Sequence, residues 1–129
     1  MTETRVIGPV DLRVPPDPFL SRVVRLAASG MASLAGFSID EIEDIKIAVS
    51  EILIALIEHG GGEPVDVQFT VDDRTFEVRG HTAVEHFDAS HADLVLCRTV
   101  LTEVCSSHDI YVLEDQAHIW AAVAHVHIE

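Results

Sequence analysis

The 129 residues are 48% hydrophobic, enough for one core at a length that suits a single domain over 1–129, and too many for a disordered chain. Against 22 acidic residues stand only 8 basic ones; the formal charge of −14 disfavours nucleic acid and anionic membrane as partners and suits solubility or a basic protein partner. No apolar leader opens the chain and the longest apolar run, Ile52–Ile57, is far too short for a bilayer, so a cytosolic protein is expected, with Cys97 and Cys105 as reduced, partly buried thiols.

Arg5–Val14 reads as a strand, alternating regularly from Val10, and Pro9, with no N–H for a ladder, places it at a sheet edge. Pro15, Pro16 and Pro18 stop it. Over Pro18–Leu34, Leu20, Val23, Val24, Ala27, Met31 and Leu34 recur at helical spacing. Gly30 in that helix marks either a close backbone approach or a local break. Gly36 sits where a C′ glycine ends a helix.

Ser38-Ile39-Asp40-Glu41 is a capping box, with Phe37 and Ile42 placed for a hydrophobic staple. Asp40, Glu41, Glu43 and Asp44 suit the positive end of a helix dipole. The helix that follows holds the central stretch of the chain, Asp44–His59, whose inner positions are apolar except for Glu51. Gly60-Gly61-Gly62 ends it.

After Pro64 the period becomes two: Val65, Val67, Phe69 and Val71 share one strand face, and Asp66, Gln68 and Thr70 the other. Asp72-Asp73 turns the chain into a partner strand with Phe76 and Val78. Gly80–Ser90 reads as irregular. His91–Val104 returns to helical spacing through Leu94, Val95, Cys97, Leu101 and Val104, and Ile110–Leu113 with His118–Val126 forms a closing hairpin around Glu114–Gln116. Trp120 falls among apolar strand residues and is expected in the core. The order β-α-α-β-β-α-β-β predicts an α+β fold, a two-layer α/β sandwich with helices on one face of a mixed, mostly antiparallel sheet.

Enzyme signals are thin. Ser50, Ser90, Ser106 and Ser107 lie in no nucleophile elbow, and the carboxylates form no recognisable acid/base pair. Of the 8 histidines, His81, His86 and His91 are spaced by five, and His125 and His127 share a strand face. No zinc-type spacing links them and no cysteine lies near either group, so they read as surface residues with a weak pH response.

The stretch IEDIKIAVSEILIALIEHG resembles the anti-sigma factor/serine kinase family of RsbW type, within the GHKL (Bergerat, histidine-kinase-like) ATPases. The element order agrees from Val10 to Val126, while the motif likeness is confined to the second helix and to Phe87-Asp88. In that family a carboxylate serves as base or water organiser, an asparagine four residues on holds Mg²⁺ beside ATP, and a histidine follows four later; the matching frame here is Glu51, Ala55 and His59. Four-residue spacing puts all three on one helix face. Ala55 offers no oxygen to a hard cation. The family's Asp and glycines, which read adenine and let backbone approach the nucleotide, fall at Arg79–Asp88, where His81 and Asp88 stand in a stretch without Asp-x-Gly. The second glycine box falls at His91–Leu96, which has no glycine and places Asp93 where phosphates would sit. Leu94, Val95 and Leu96 are expected to fill the vacated site.

Three nucleotide elements lost together imply a pseudo-ATPase, with Glu51 a remnant and neither ATP nor Mg²⁺ as cofactor. The resemblance then implies a non-catalytic anti-sigma factor that sequesters a sigma factor, is released by a STAS-type anti-anti-sigma antagonist, and forms a homodimer. An acidic chain suits the basic DNA-binding face of a sigma factor. The sigma-facing surface implied by the family includes the first helix, on its polar face at Ser21, Arg22 and Arg25. Two other functions stand beside it: an active serine-protein kinase that uses ATP and Mg²⁺ on a STAS-type substrate, and a scaffold that binds STAS-type partners alone.

Overall fold

A computed structural model describes residues 6–126. His127, half of one histidine pair, and Arg5, the first residue of the expected edge strand, lie outside them.

The elements follow the predicted order: β1 (Val6–Val14), a 3-10 turn at Pro18–Leu20, α1 (Ser21–Leu34), α2 (Ile39–His59), β2 (Val65–Asp72), β3 (Thr75–Ala83), α3 (Ala92–Val104), β4 (Ser107–Leu113) and β5 (Gln116–Ala124). The strands form a single five-stranded sheet in the order β1-β2-β3-β5-β4. Every pairing among the described strands is antiparallel, so the sheet has none of the parallel character that "mixed" allowed. β1 occupies an edge, as Pro9 requires, and its pairing with β2 shifts register between Ile7 and Val10.

The helices cover one face. Val65, Val67, Phe69 and Val71 of β2, with Phe76 and Val78 of β3, are buried beneath α2 residues Ile45, Val49, Ile52, Leu53 and Leu56. α1 ends in a Schellman motif: Phe37 N–H donates to Ala32 O at 3.0 Å, Gly36 N–H to Ser33 O at 3.1 Å, and Gly36 takes φ +88°. α2 begins in the predicted capping box, with Ser38 Oγ accepting from Glu41 N–H at 3.2 Å and Glu41 Oε1 accepting from Ser38 N–H at 2.7 Å. Both hairpins turn on two residues with positive φ, Asp73-Arg74 and Glu114-Asp115.

Four expectations change. β3 runs through Gly80 to Ala83 instead of dissolving at Gly80, because the ladder to β5 continues to the Ala83–Gln116 pair. α1 packs through Val24, Ala28, Met31 and Ala32, which leaves Val23 and Leu34 on the solvent side. α3 buries Leu94, Cys97 and Leu101, a single stripe at helical spacing, so Val95 and Leu96 point outward. Trp120 lies on the uncovered face of the sheet, because alternation along β5 sends Ile119 and Ala121 into the core and their neighbour out.

Gly30 neither breaks α1 nor admits another backbone: it is helical and exposed, and a Cβ there meets nothing within 4 Å. Gly30→Ala is therefore expected to stabilise the protein by about 1 kcal/mol, read as a higher urea midpoint with an unchanged m-value.

Candidate functional site

The four-residue periodicity of α2 aligns Glu51, Ala55 and His59 on one face, with Glu58 beside them. α3 crosses this face with Asp93, Leu96 and Cys97, and together these residues and Ile54 line a cleft of about 200 Å³. Ala55 is buried and presents only a methyl group. Leu96, though exposed, lines the cleft wall, so of the three residues expected to fill the site Leu94 enters the core, Leu96 borders the cleft and Val95 faces away.

The cleft is negatively charged. Burial raises the pKa of the Glu51 carboxyl, and Glu58 adds to the effect. Burial and the nearby Glu51 push the Cys97 thiol up to about 11, which keeps it protonated and unreactive. Its Sγ lies 3.9 Å from the Glu51 carbonyl. Cys105 is likewise free and, through burial, Asp44 and Cys97, is pushed up to about 12.

At the mouth of the cleft, two segments that are distant in sequence meet. His59, the last residue of α2, places Nε2 3.4 Å from Asp93 Oδ2. His91, the N-cap of α3, places Nδ1 3.7 Å from the same oxygen and accepts the Asp93 backbone N–H at 3.1 Å. The two imidazole rings are 4.8 Å apart. His59 Nε2 is shielded from solvent and has no hydrogen-bond partner. His59 and Asp93 are marked in the sequence by the family frame, whereas His91 is weighed there only with His81 and His86 and read as a surface residue; no spacing rule connects residues on separate helices.

The other marked residues lie elsewhere. His81 stands on the uncovered face of the sheet, with Nδ1 2.7 Å from Gln116 Oε1 and its ring stacked on His118 at 5.3 Å. Its place in β3 decides this: Gly80 and Thr82 take the helix side, so His81 takes the opposite one. Thr82, missed in the sequence, is a buried polar residue whose hydroxyl donates to Pro64 O at 2.9 Å, tying β3 to the loop after α2. Asp88 is exposed and closes a local turn, accepting from the Ser90 hydroxyl at 2.6 Å and the Ser90 N–H at 3.0 Å; these bonds lower its pKa. Ser21, Arg22 and Arg25 begin α1 as expected, and the same helix region exposes Phe19 (90%), Val23 (58%) and Leu26 (64%).

The uncovered sheet face holds a broader concavity of about 550 Å³, bounded by Arg13, Arg79, His81, Tyr111, His118 and Trp120. Tyr111 stacks on His118 at 4.9 Å, and the Arg79 guanidinium lies 5.6 Å from the Trp120 ring centre. Alternation along β5 carries the signal for this face, but the apolar neighbours of Trp120 mask it.

No helix among the described residues is long and apolar enough to cross a membrane. The family model of the histidine kinase-like ATPase domain matches residues 14–98. The serine-protein kinase RsbW of Bacillus subtilis is 37% identical over 70 residues, 54% of this chain and 44% of that protein. RsbW of Listeria innocua is 40% identical over 68 residues, 53% of this chain and 43% of that protein. The matched regions thus span less than half the length of these relatives. Among solved structures, the RsbU and RsbW domains of a Mycobacterium tuberculosis protein superpose with a TM-score of 0.70 at 16% identity, over 92% of this chain and 32% of that one. A chain of the SiaB–SiaC complex of Pseudomonas aeruginosa gives 0.67 at 11% identity, over 88% of each. Those identities speak for the fold alone. The family model covers more than half of the chain and the curated relatives are RsbW proteins, so this protein belongs to the histidine kinase-like ATPase domain family, with an RsbW-type likeness inside it.

Proposed function

We propose that this chain is a protein-binding regulator of RsbW type, an anti-sigma factor that sequesters its sigma factor and carries no phosphoryl-transfer chemistry. The observation that carries the reading is the α2–α3 cleft. Its volume of about 200 Å³ is below the roughly 300–1,000 Å³ of ordinary small-molecule pockets, and Ala55 gives a hard cation no ligand there. Asp93 adds negative charge at the helix start where a phosphate would need the opposite. Control of the partner then rests on competitive binding, with a STAS-type antagonist displacing the sigma factor from a homodimer.

The α1 surface supports the partner assignment. Phe19, Val23 and Leu26 are exposed together on and beside α1, an apolar patch of the kind that binds a protein partner, with Arg22 and Arg25 at its rim. The kinase reading keeps one observation in its favour: Glu51 remains in the cleft with a raised pKa, as a base would require.

Calorimetry with Mg²⁺ and ATP, paired with co-purification scored for sigma factors and STAS proteins, tests the proposal. No heat of nucleotide binding and recovery of a sigma factor, lost in Leu26→Asp or Arg22→Glu/Arg25→Glu, are expected. Micromolar ATP binding abolished by Glu51→Ala would overturn the pseudo-ATPase reading. Recovery of a STAS protein and never a sigma factor would make the chain a scaffold.

A further inference from the structure

We propose that His59, His91 and Asp93 form a binding site for a divalent transition-metal ion of the zinc class, at the mouth of the α2–α3 cleft. One ligand atom from each of the three lies within 4.8 Å of the others. Two of the separations are 3.4 Å and 3.7 Å. Ligands about 2.0–2.1 Å from a tetrahedral zinc sit roughly 3.4 Å apart, so two edges of the coordination triangle are nearly in place. The third closes by a small rotation of the His91 ring, which stands on an exposed helix start.

Two observations point to a cation beyond the clustering of ligands. His59 Nε2 is shielded from solvent and makes no hydrogen bond, although Asp93 Oδ2 lies 3.4 Å away, and a shielded nitrogen without a hydrogen bond is costly unless something binds it. Asp93 Oδ2 faces both imidazoles without a good hydrogen bond to either, an arrangement that a shared metal converts into three bonds. Electrostatics agree: Glu51 and Glu58 line the same cleft, and the C-terminal end of α2, where His59 sits, carries partial negative charge. Imidazole and carboxylate together suit zinc, cobalt or nickel over magnesium. Binding through His91 Nδ1 displaces the Asp93 N–H, which is at the surface and returns to water. The fourth position is left to water. The site does not need Ala55, although it shares His59 and Asp93 with the cleft that holds a nucleotide in the family.

Untagged protein stripped with EDTA is titrated with CoCl₂ and ZnCl₂ by visible absorption, calorimetry and thermal melting. One Co²⁺ per chain is expected, with the d–d bands of a four-coordinate site that Zn²⁺ bleaches, and a Zn²⁺-dependent rise in Tm. Asp93→Asn and His91→Ala, both at the exposed start of α3, are each expected to weaken binding by about tenfold or more and to remove the Tm rise. His81→Ala/His118→Ala, on the opposite sheet face, is expected to leave both unchanged. Should one α3 variant fail to fold, the other carries the comparison. Absence of binding at submillimolar Zn²⁺, equal affinity in the α3 variants, or loss in the sheet-face control would each overturn the site.

Discussion

Glu41→Gln is expected to lower stability at pH 7 by about 3 kcal/mol, and the deficit is expected to fade as the pH drops. Glu41 does two jobs. It closes the capping box of α2, and it clamps the far end of the chain: Oε1 lies 2.6 Å from His125 Nδ1, and Oε2 accepts the Val126 N–H at 2.6 Å. Burial raises its pKa, but the N–H groups of Ser38 and Val126 and the His125 ring outweigh burial and hold the carboxyl at about 2, against an ordinary 4.5. A folded pKa below the unfolded one stabilises the native state above pH 4.5, and the contribution is lost as pH falls from 4.5 towards 2. Glutamine turns one of the two acceptor oxygens into a donor facing a donor, which leaves a bond unmade. Urea unfolding of both proteins at pH 7 and pH 3 measures the effect. The gap between them should shrink to less than half at pH 3; a gap equal at both values would show that the carboxylate charge is not what the clamp uses.

The capping half of this clamp was legible in sequence, because Ser38-x-x-Glu41 is a local pattern with a local cause. Its other half was not, since 84 residues separate Glu41 from His125 and only the closed sheet brings them together. The same division runs through the molecule. Alternation in Val65–Val71, the stop at Gly36 and the edge position of Pro9 follow from neighbours along the chain, and the structure has them. The sides of β3 and α3 required knowing where each element stops. Reading β3 as ending near Gly80 left His81 in a loop beside the cleft, whereas the ladder to β5 carries it to the opposite face. Counting Val95 and Leu96 as pocket filler assumed that apolar residues face inward, yet α3 has only one covered stripe. The His59–His91–Asp93 cluster joins the end of one helix to the start of another, and no single-chain period encodes such a meeting.

Ile52→Ala is expected to cost about 4 kcal/mol alone, and to cost less in a chain that also carries Gly80→Ala. Ile52 is fully buried on α2, and Gly80 lies directly below it in β3, paired with Val67 of β2 and Ile119 of β5. A Cβ at Gly80 would stand 2.9 Å from Ile52 Cγ2 and 2.8 Å from Leu56 Cδ1. Leu56 Cδ1 ends a flexible side chain, but Ile52 Cγ2 sits on the β-branched carbon of a residue whose χ1 is fixed in the helix, so Gly80→Ala alone is an overpacking change worth about 1–3 kcal/mol. Removing the Ile52 side chain opens the space that the new methyl needs, and the double variant should fall short of the sum of the singles by about 1 kcal/mol or more. Denaturant midpoints for the four proteins of the cycle give the coupling directly. The result bears on function as well as stability. A glycine in this part of the chain would serve a nucleotide in an RsbW-type relative by letting backbone approach the ligand; here the close neighbours are Ile52 and Leu56, and the absence of a side chain lets α2 settle onto the sheet. A strictly additive cycle would remove that packing role.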